Sequence, residues 1–142
     1  MFYPLKDLNF KKFFLETKKQ KAVFNPNSFS IELKKFYENK NKKLLDNFKK
    51  KNNGLELANN RSNLIEQIIV KCYYRYSLEL KKKIKNFKCS IIATGGFGRK
   101  ELAPYSDVDI LFLHSLKSKK NLEDCVKPVL HALWNLGLRV GY

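Results

Sequence analysis

Apolar positions along the chain follow two periods. Through residue 85 they recur every three or four residues, the spacing of one helix face; beyond it they gather into short β-branched runs bounded by glycines. Phe10, Phe13 and Phe14, set among Lys11, Lys12, Lys18, Lys19 and Lys21, predict an amphipathic helix within residues 1–24 that packs its aromatics on the body of the protein. Asn25-Pro26-Asn27-Ser28 is a turn cluster. Phe29, Leu33, Phe36, Tyr37, Leu44, Leu45 and Phe48 predict a second helix over 28–51, with its lysines on the wet face and Gly54 supplying a left-handed cap. Leu64, Ile65, Ile68, Ile69, Cys72, Tyr73, Tyr76, Leu80 and Ile84 predict a third over 63–85, opened by Asn63 and Glu66 as a capping box.

Past residue 85 the pattern predicts a buried strand at Ser90–Thr94 and a second at Asp107–Leu113. A helix follows over 121–136, with Leu122, Val126, Val129, Leu130, Leu133 and Trp134 as its apolar set and a kink at Pro128. Leu138–Tyr142 begins like a further strand. The expected fold class is α/β (α+β): a basic helical region over 1–60, then a partial mixed sheet of two or three strands within 61–142. Internal repeats and low-complexity linkers are absent.

Composition sharpens this picture. At 142 residues, 44% hydrophobic and 30% charged, the chain has the material for a core and is not a disordered polyelectrolyte. No apolar run approaches the roughly 20 residues that span a bilayer, and Pro4, Lys6 and Asp7 interrupt the N-terminus before a signal-like run forms. The expectation is a cytoplasmic protein with no membrane partner. Cys72, Cys89 and Cys125 are odd in number and widely spaced, so they read as core residues rather than disulfides or zinc ligands. The net charge of +16 is uneven: residues 1–88 hold 22 Lys+Arg against 8 Asp+Glu, whereas 89–142 hold 7 against 5. The basic residues are 25 Lys and only 4 Arg. A reader of nucleic acid is expected to use more arginine for bidentate contacts, so no specific nucleic-acid binding is expected, although a polyanion-binding surface stays open beside solvated helix faces.

The chemistry lies in Gly95-Gly96-Phe97-Gly98-Arg99-Lys100-Glu101-Leu102-Ala103-Pro104-Tyr105-Ser106-Asp107-Val108-Asp109. Glycines directly after a strand let backbone approach a ligand, and successive free N–H groups cradle phosphate oxygens. Arg99 and Lys100 add positive charge beside that cradle. Asp107 and Asp109, two apart on a strand, share one face, where they repel each other unless a cation lies between them. Hard oxygen donors without His or Cys suit magnesium. A phosphate cradle followed by such a pair equips a protein for phosphoryl or nucleotidyl transfer.

The same segment resembles the signature of the polymerase-β-like nucleotidyltransferase superfamily and, more narrowly, the bacterial protein-PII uridylyltransferases. Leu133-Trp134-Asn135-Leu136-Gly137-Leu138-x-Val140-Gly141 and the Arg61-Ser62 region resemble flanking stretches of that family; residues 1–51 carry no diagnostic match. The resemblance implies that Gly95 and Gly96 contact a nucleoside triphosphate, that Asp107 and Asp109 are catalytic and bind Mg2+, and that Arg99 and Ser106 support the loop or reach phosphates. It further implies transfer of UMP from UTP to a tyrosine of the PII signalling protein. Family members also carry a metal-dependent hydrolase domain that removes UMP and ACT domains that sense glutamine.

Two departures stand out. Tyr142 occupies the family's His position, and no later strand offers the third carboxylate, since Glu123 and Asp124 sit at a helix start. The expectation is therefore an N-terminal fragment of such an enzyme, inactive alone. Competing readings are another enzyme of the superfamily, of glutamine synthetase adenylyltransferase or minimal toxin-antitoxin type, and a non-catalytic basic binding module.

Overall fold

The structure, a computed structural model, describes residues 24–84 and 88–142. The helix expected within residues 1–24 lies outside the described residues, Phe24 excepted. Two long helices come first: α1 (Pro26–Lys51) and α2 (Gly54–Lys83). They are followed by β1 (Cys89–Ala93), a single helical turn α3 (Gly95–Gly98), β2 (Val108–His114), α4 (Lys119–Asn135) and β3 (Val140–Gly141). The strands form one mixed sheet in the order β1-β2-β3, antiparallel between β1 and β2 and parallel between β2 and β3. The expected class, helices followed by a small mixed α/β sheet, holds.

Local chemistry sets the helix ends. Asn25 caps α1, its Oδ1 accepting from the N–H groups of Asn27 and Ser28 at 2.9 and 3.3 Å, and Pro26 opens the first turn. The junction between α1 and α2 differs from expectation. Asn52, not Gly54, takes the left-handed C-cap conformation at φ 49, and the next residue, Asn53, caps α2 by accepting from the Glu56 N–H at 3.0 Å. Asparagine tolerates the left-handed region because its short amide bonds locally. Two adjacent asparagines therefore stop one helix and start the next. Consequently α2 begins nine residues before Asn63, whose side chain lies mid-helix and accepts from Lys100 Nζ instead. Further on, α4 runs through Pro128 as one helix and ends where Gly137, at φ 74, turns the chain into β3.

The core forms where α2 and α4 pack beneath the sheet. Ile65, Ile68 and Cys72 from α2 meet Val129, Leu130 and Leu133 from α4 and Val108 and Ile110 from β2. Helix α1 lies outside this, fully burying only Leu33, while its lysines stay exposed. One lysine of α2, Lys71, places its Nζ 3.8 Å from the Phe36 ring centroid, tying α2 to α1. Along β2 the alternation is clean: Val108 and Ile110 face the core, whereas Leu111 and Leu113 remain 51% and 61% exposed on the opposite face, beside Ile92 of β1. Asp109 belongs to that outer face.

All three cysteines are buried and free, as expected. Cys125 and Cys89 share a satellite cluster with Leu80, and the Tyr73 hydroxyl donates to the Cys89 carbonyl. Ser62, like Ser77, is a buried polar residue. Its hydroxyl donates to the Ala58 carbonyl at 2.9 Å and accepts from the Leu102 N–H at 3.0 Å, joining α2 to the loop between α3 and β2.

Two outcomes are expected. Ser62→Ala leaves the buried Leu102 N–H without an acceptor and should cost about 1–3 kcal/mol in urea denaturation; an unchanged midpoint would show that this bond contributes nothing. Burial pushes the Cys72 and Cys125 thiols from 9.0 up to about 12, and the Tyr73 phenol from 10.0 up to about 12. The folded pKa is raised in each case, so their contribution is whole below about pH 9 and is lost between about pH 9 and 12, where the unfolded chain ionises first. Stability measured against pH should therefore fall over that alkaline window, and the native thiols should resist alkylation at pH 8.

Candidate active site

The site is built where β1 ends and β2 begins. Strand β1 delivers the chain to Gly95, whose φ of +56 lies in the left-handed region and lets the chain turn back over the end of the sheet. Phe97 is buried in the core and anchors the turn from below. Gly98 lies against the strand it has just left: a Cβ there would sit 2.7 Å from the Ala93 carbonyl oxygen. Gly96 is less confined, since its Cβ would meet the Glu101 carbonyl oxygen at 3.4 Å. Among the described residues, the N–H groups of Gly95, Gly96 and Phe97 have no hydrogen-bond partner, while the following N–H groups of Gly98, Arg99, Lys100 and Glu101 are all satisfied within the loop. The three open donors stand in succession, the arrangement that receives an anionic oxygen.

Asp109 faces this turn. A Cβ on Gly95 would lie 2.4 Å from Asp109 Oδ2, and a Cβ on Gly141 would lie 2.6 Å from Asp109 Oδ1. The carboxylate thus occupies a slot walled by two glycines, one on the turn and one on β3, where Asp109 and Gly141 are register partners. It is half-buried, and among the described residues no side chain bonds it or pairs with it.

Asp107 differs in two respects. It stands just ahead of β2 rather than in it, because the ladder to β3 begins at Val108. It is also paired, with Arg139 Nε 3.0 Å from its Oδ1. Arg139 further donates to the Tyr105 carbonyl. The remaining expected residues serve the loop. Arg99 pairs with Glu101 at 3.2 Å on the surface, and the Ser106 hydroxyl donates to the Ala103 carbonyl at 2.8 Å, closing the turn before Asp107. Lys100 does not line the cradle: at φ 62 it reaches back to α2, its Nζ 3.1 Å from Asn63 Oδ1 and 3.3 Å from Glu66 Oε2. Glu123 is taken up by Lys127 at 2.6 Å on α4, and hydrogen bonding from that lysine lowers its carboxyl pKa. Among the described residues no group of three or more His, Cys, Asp or Glu is placed to hold a metal.

Sequence reasoning missed Arg139, Gly141 as a wall of the slot, and Ser62 as a tether. Gly141 carried a signal in its pattern with Leu138 and Val140, and Ser62 one through the Arg61-Ser62 resemblance, though neither announced its role; Arg139 carried none beyond its residue type.

Comparison with known proteins bears on this geometry. Residues 73–140, which span the turn, the aspartates and α4, match the nucleotidyltransferase domain family. That match covers 68 of the chain's 142 residues. The chain's relatives include the bifunctional uridylyltransferase/uridylyl-removing enzymes of Azospirillum brasilense, 54% identical over 52 residues, which is 37% of this chain and 6% of that protein. That of Novosphingobium aromaticivorans is 36% identical over 96 residues, covering 63% and 10%. That of Pseudoalteromonas translucida is 32% identical over 99 residues, covering 70% and 11%. The expected resemblance to the uridylyltransferases is therefore found, and the chain spans only about a tenth or less of the length of each of these relatives. No solved structure matches the chain. Among the described residues, no helix is long and apolar enough to cross a membrane.

The glycine geometry separates two substitutions at this turn. Gly95→Ala introduces left-handed strain and drives a methyl into the Asp109 carboxylate, so it should lower the unfolding free energy measured by denaturant titration by about 1–2 kcal/mol or more. Gly96→Ala should cost well under half of that in the same titration, because its new methyl meets one carbonyl at a tight but tolerable distance. Equal losses would show that the slot is not sterically closed.

Proposed function

We propose that this chain contributes the nucleotide-binding part of a cytoplasmic enzyme that transfers UMP from UTP to a tyrosine of a PII-type signalling protein. The observation that carries this reading is the unpartnered, half-buried Asp109 carboxylate, held directly across a glycine turn that presents three open N–H groups. The names of the relatives supply the uridylyl specificity. Residues 61–142 form the catalytic part in this reading, and the helices ahead of them support it.

In this assignment the N–H groups of Gly95, Gly96 and Phe97 hold phosphate oxygens of the triphosphate. Arg99 contributes positive charge at the rim, and Ser106 keeps the loop in the shape that presents Asp107. Asp107 and Asp109 would hold a divalent ion. The donor chemistry fits: both are carboxylates, one has no protein partner, and hard oxygen ligands without nitrogen or sulfur suit Mg2+. When bound, Mg2+ supplies charge neutralisation on the phosphate oxygens. The tyrosine oxygen attacks the α-phosphorus, the bond to the β-phosphate oxygen breaks and pyrophosphate departs, while the phenolic proton passes to solvent. The glycine walls keep the Asp109 carboxylate from swinging aside, so its position is set before substrate arrives.

The test is transfer of label from UTP to a PII-type protein by the full-length protein in Mg2+. Asp107→Ala together with Asp109→Ala should reduce transfer by at least about a thousandfold, in line with the weight of electrostatic groups at reacting centres. Transfer at the wild-type rate by the double variant would sink the assignment, and transfer of another nucleotide in preference to UMP would sink the uridylyl specificity.

A further inference from the structure

We propose that Arg139 is the resident counter-cation of Asp107 and competes with the divalent ion for it, so that this one side chain sets how readily the ion site loads. The inference rests on the reading of Asp107 and Asp109 as ion ligands. It concerns a residue that the motif does not contain.

Two carboxylates two positions apart, one just ahead of β2 and one within it, are better tolerated where positive charge is supplied. The two aspartates meet this differently. Asp109 has no partner among the described residues, whereas Asp107 has Arg139 Nε at 3.0 Å from Oδ1. The guanidinium is delivered from a fixed root: the Arg139 carbonyl accepts from the Val108 N–H at 2.8 Å, the residue between the two aspartates. A second guanidinium nitrogen donates to the Tyr105 carbonyl, which aims the group along the loop toward Asp107. Arginine remains charged at any pH the protein meets, so the compensation is permanent while the pair lasts.

The pair is also exchangeable. The Arg139 and Asp107 side chains are 72% and 55% exposed. Ion pairs open to water to this extent are weak and screened by salt. An ion binding between the aspartates draws on the same Asp107 carboxylate and repels a guanidinium resting on its Oδ1. Loading the ion therefore works against the Arg139 contact, and the cost of weakening that contact enters the ion's affinity. The Gly95–Asp109–Gly141 slot leaves Asp109 no comparable freedom, so regulation of loading falls on Asp107.

Mn2+ serves as the probe, titrated into the full chain at about 50 mM salt and followed by the paramagnetic resonance signal of the free ion. Arg139→Gln should bind Mn2+ roughly two- to fivefold more tightly than wild type, the range open to an exposed pair. Arg139→Lys, which keeps the charge, should stay close to wild type. The gain in Arg139→Gln should shrink at about 0.5 M salt. In an Asp107→Asn background the same Arg139→Gln change should have no effect, as a double-mutant cycle requires of a direct pair. Unchanged or weaker Mn2+ binding by Arg139→Gln overturns the proposal, as does a gain that persists in the Asp107→Asn background. If the wild-type chain binds no Mn2+ at millimolar concentration, the ion-ligand reading itself falls, an outcome distinct from wild-type binding that is indifferent to Arg139.

Discussion

The close approach of two glycine backbones to the Asp109 carboxylate constrains more of this molecule than any other contact. Either wall would collide with the carboxylate if it carried a Cβ. The first wall depends on the turn after β1, which in turn depends on Gly98 lying against the Ala93 carbonyl and on Phe97 filling its place in the core. The second depends on β3, whose position follows from the packing of α4 and from the left-handed turn at Gly137. The Ser62 hydroxyl, bonded to the Leu102 N–H, and Lys100, bonded to Glu66 and Asn63, hold the intervening loop to α2. Removing the rigidity of any one of these supports relaxes a wall, and the carboxylate regains rotamers that the slot now denies it.

What the sequence disclosed and what it hid divide along physical lines. The glycine turn, the alternation of Val108 to Leu113 and the periodic stretch from Leu64 to Leu80 were legible because each is a local pattern whose period dictates its own geometry. The junction at Asn52-Asn53 was misread because Gly54 is the usual left-handed residue, whereas here the first asparagine takes that conformation and the second caps the following helix. Asn63 and Glu66 had capping-box spacing but serve as partners for Lys100, a contact across 37 and 34 residues that no local pattern announces. Arg139 and Asp107 are likewise brought together only by the parallel pairing of β2 with β3. Asp107 read as strand because its neighbours alternate, and it falls just outside because no β3 residue pairs with it.

The basic charge has a structural location but no part in the slot. The lysines of α1 are exposed, and the helix secures itself through Leu33 and a few half-buried aromatics. Where a lysine does find a defined partner, as Lys71 over Phe36, it fastens α2 to α1. The nucleotidyltransferase match begins only at residue 73, within α2, so the lysine-rich α1 and the candidate site belong to different stretches of chain that share one core.

The parallel pairing of β2 with β3 also orders events in time. Parallel strands cannot be joined by a tight hairpin, and here the chain must first complete α4 and lay it across the sheet before Gly141 can reach Asp109. The antiparallel β1–β2 ladder and the glycine turn rely on nearer neighbours, so they can assemble while the far wall is still missing. Contacts between residues farther apart along the chain cost more entropy to close. Of the two walls around Asp109, the one supplied by Gly141 is the more distant along the chain and depends on α4 being in place.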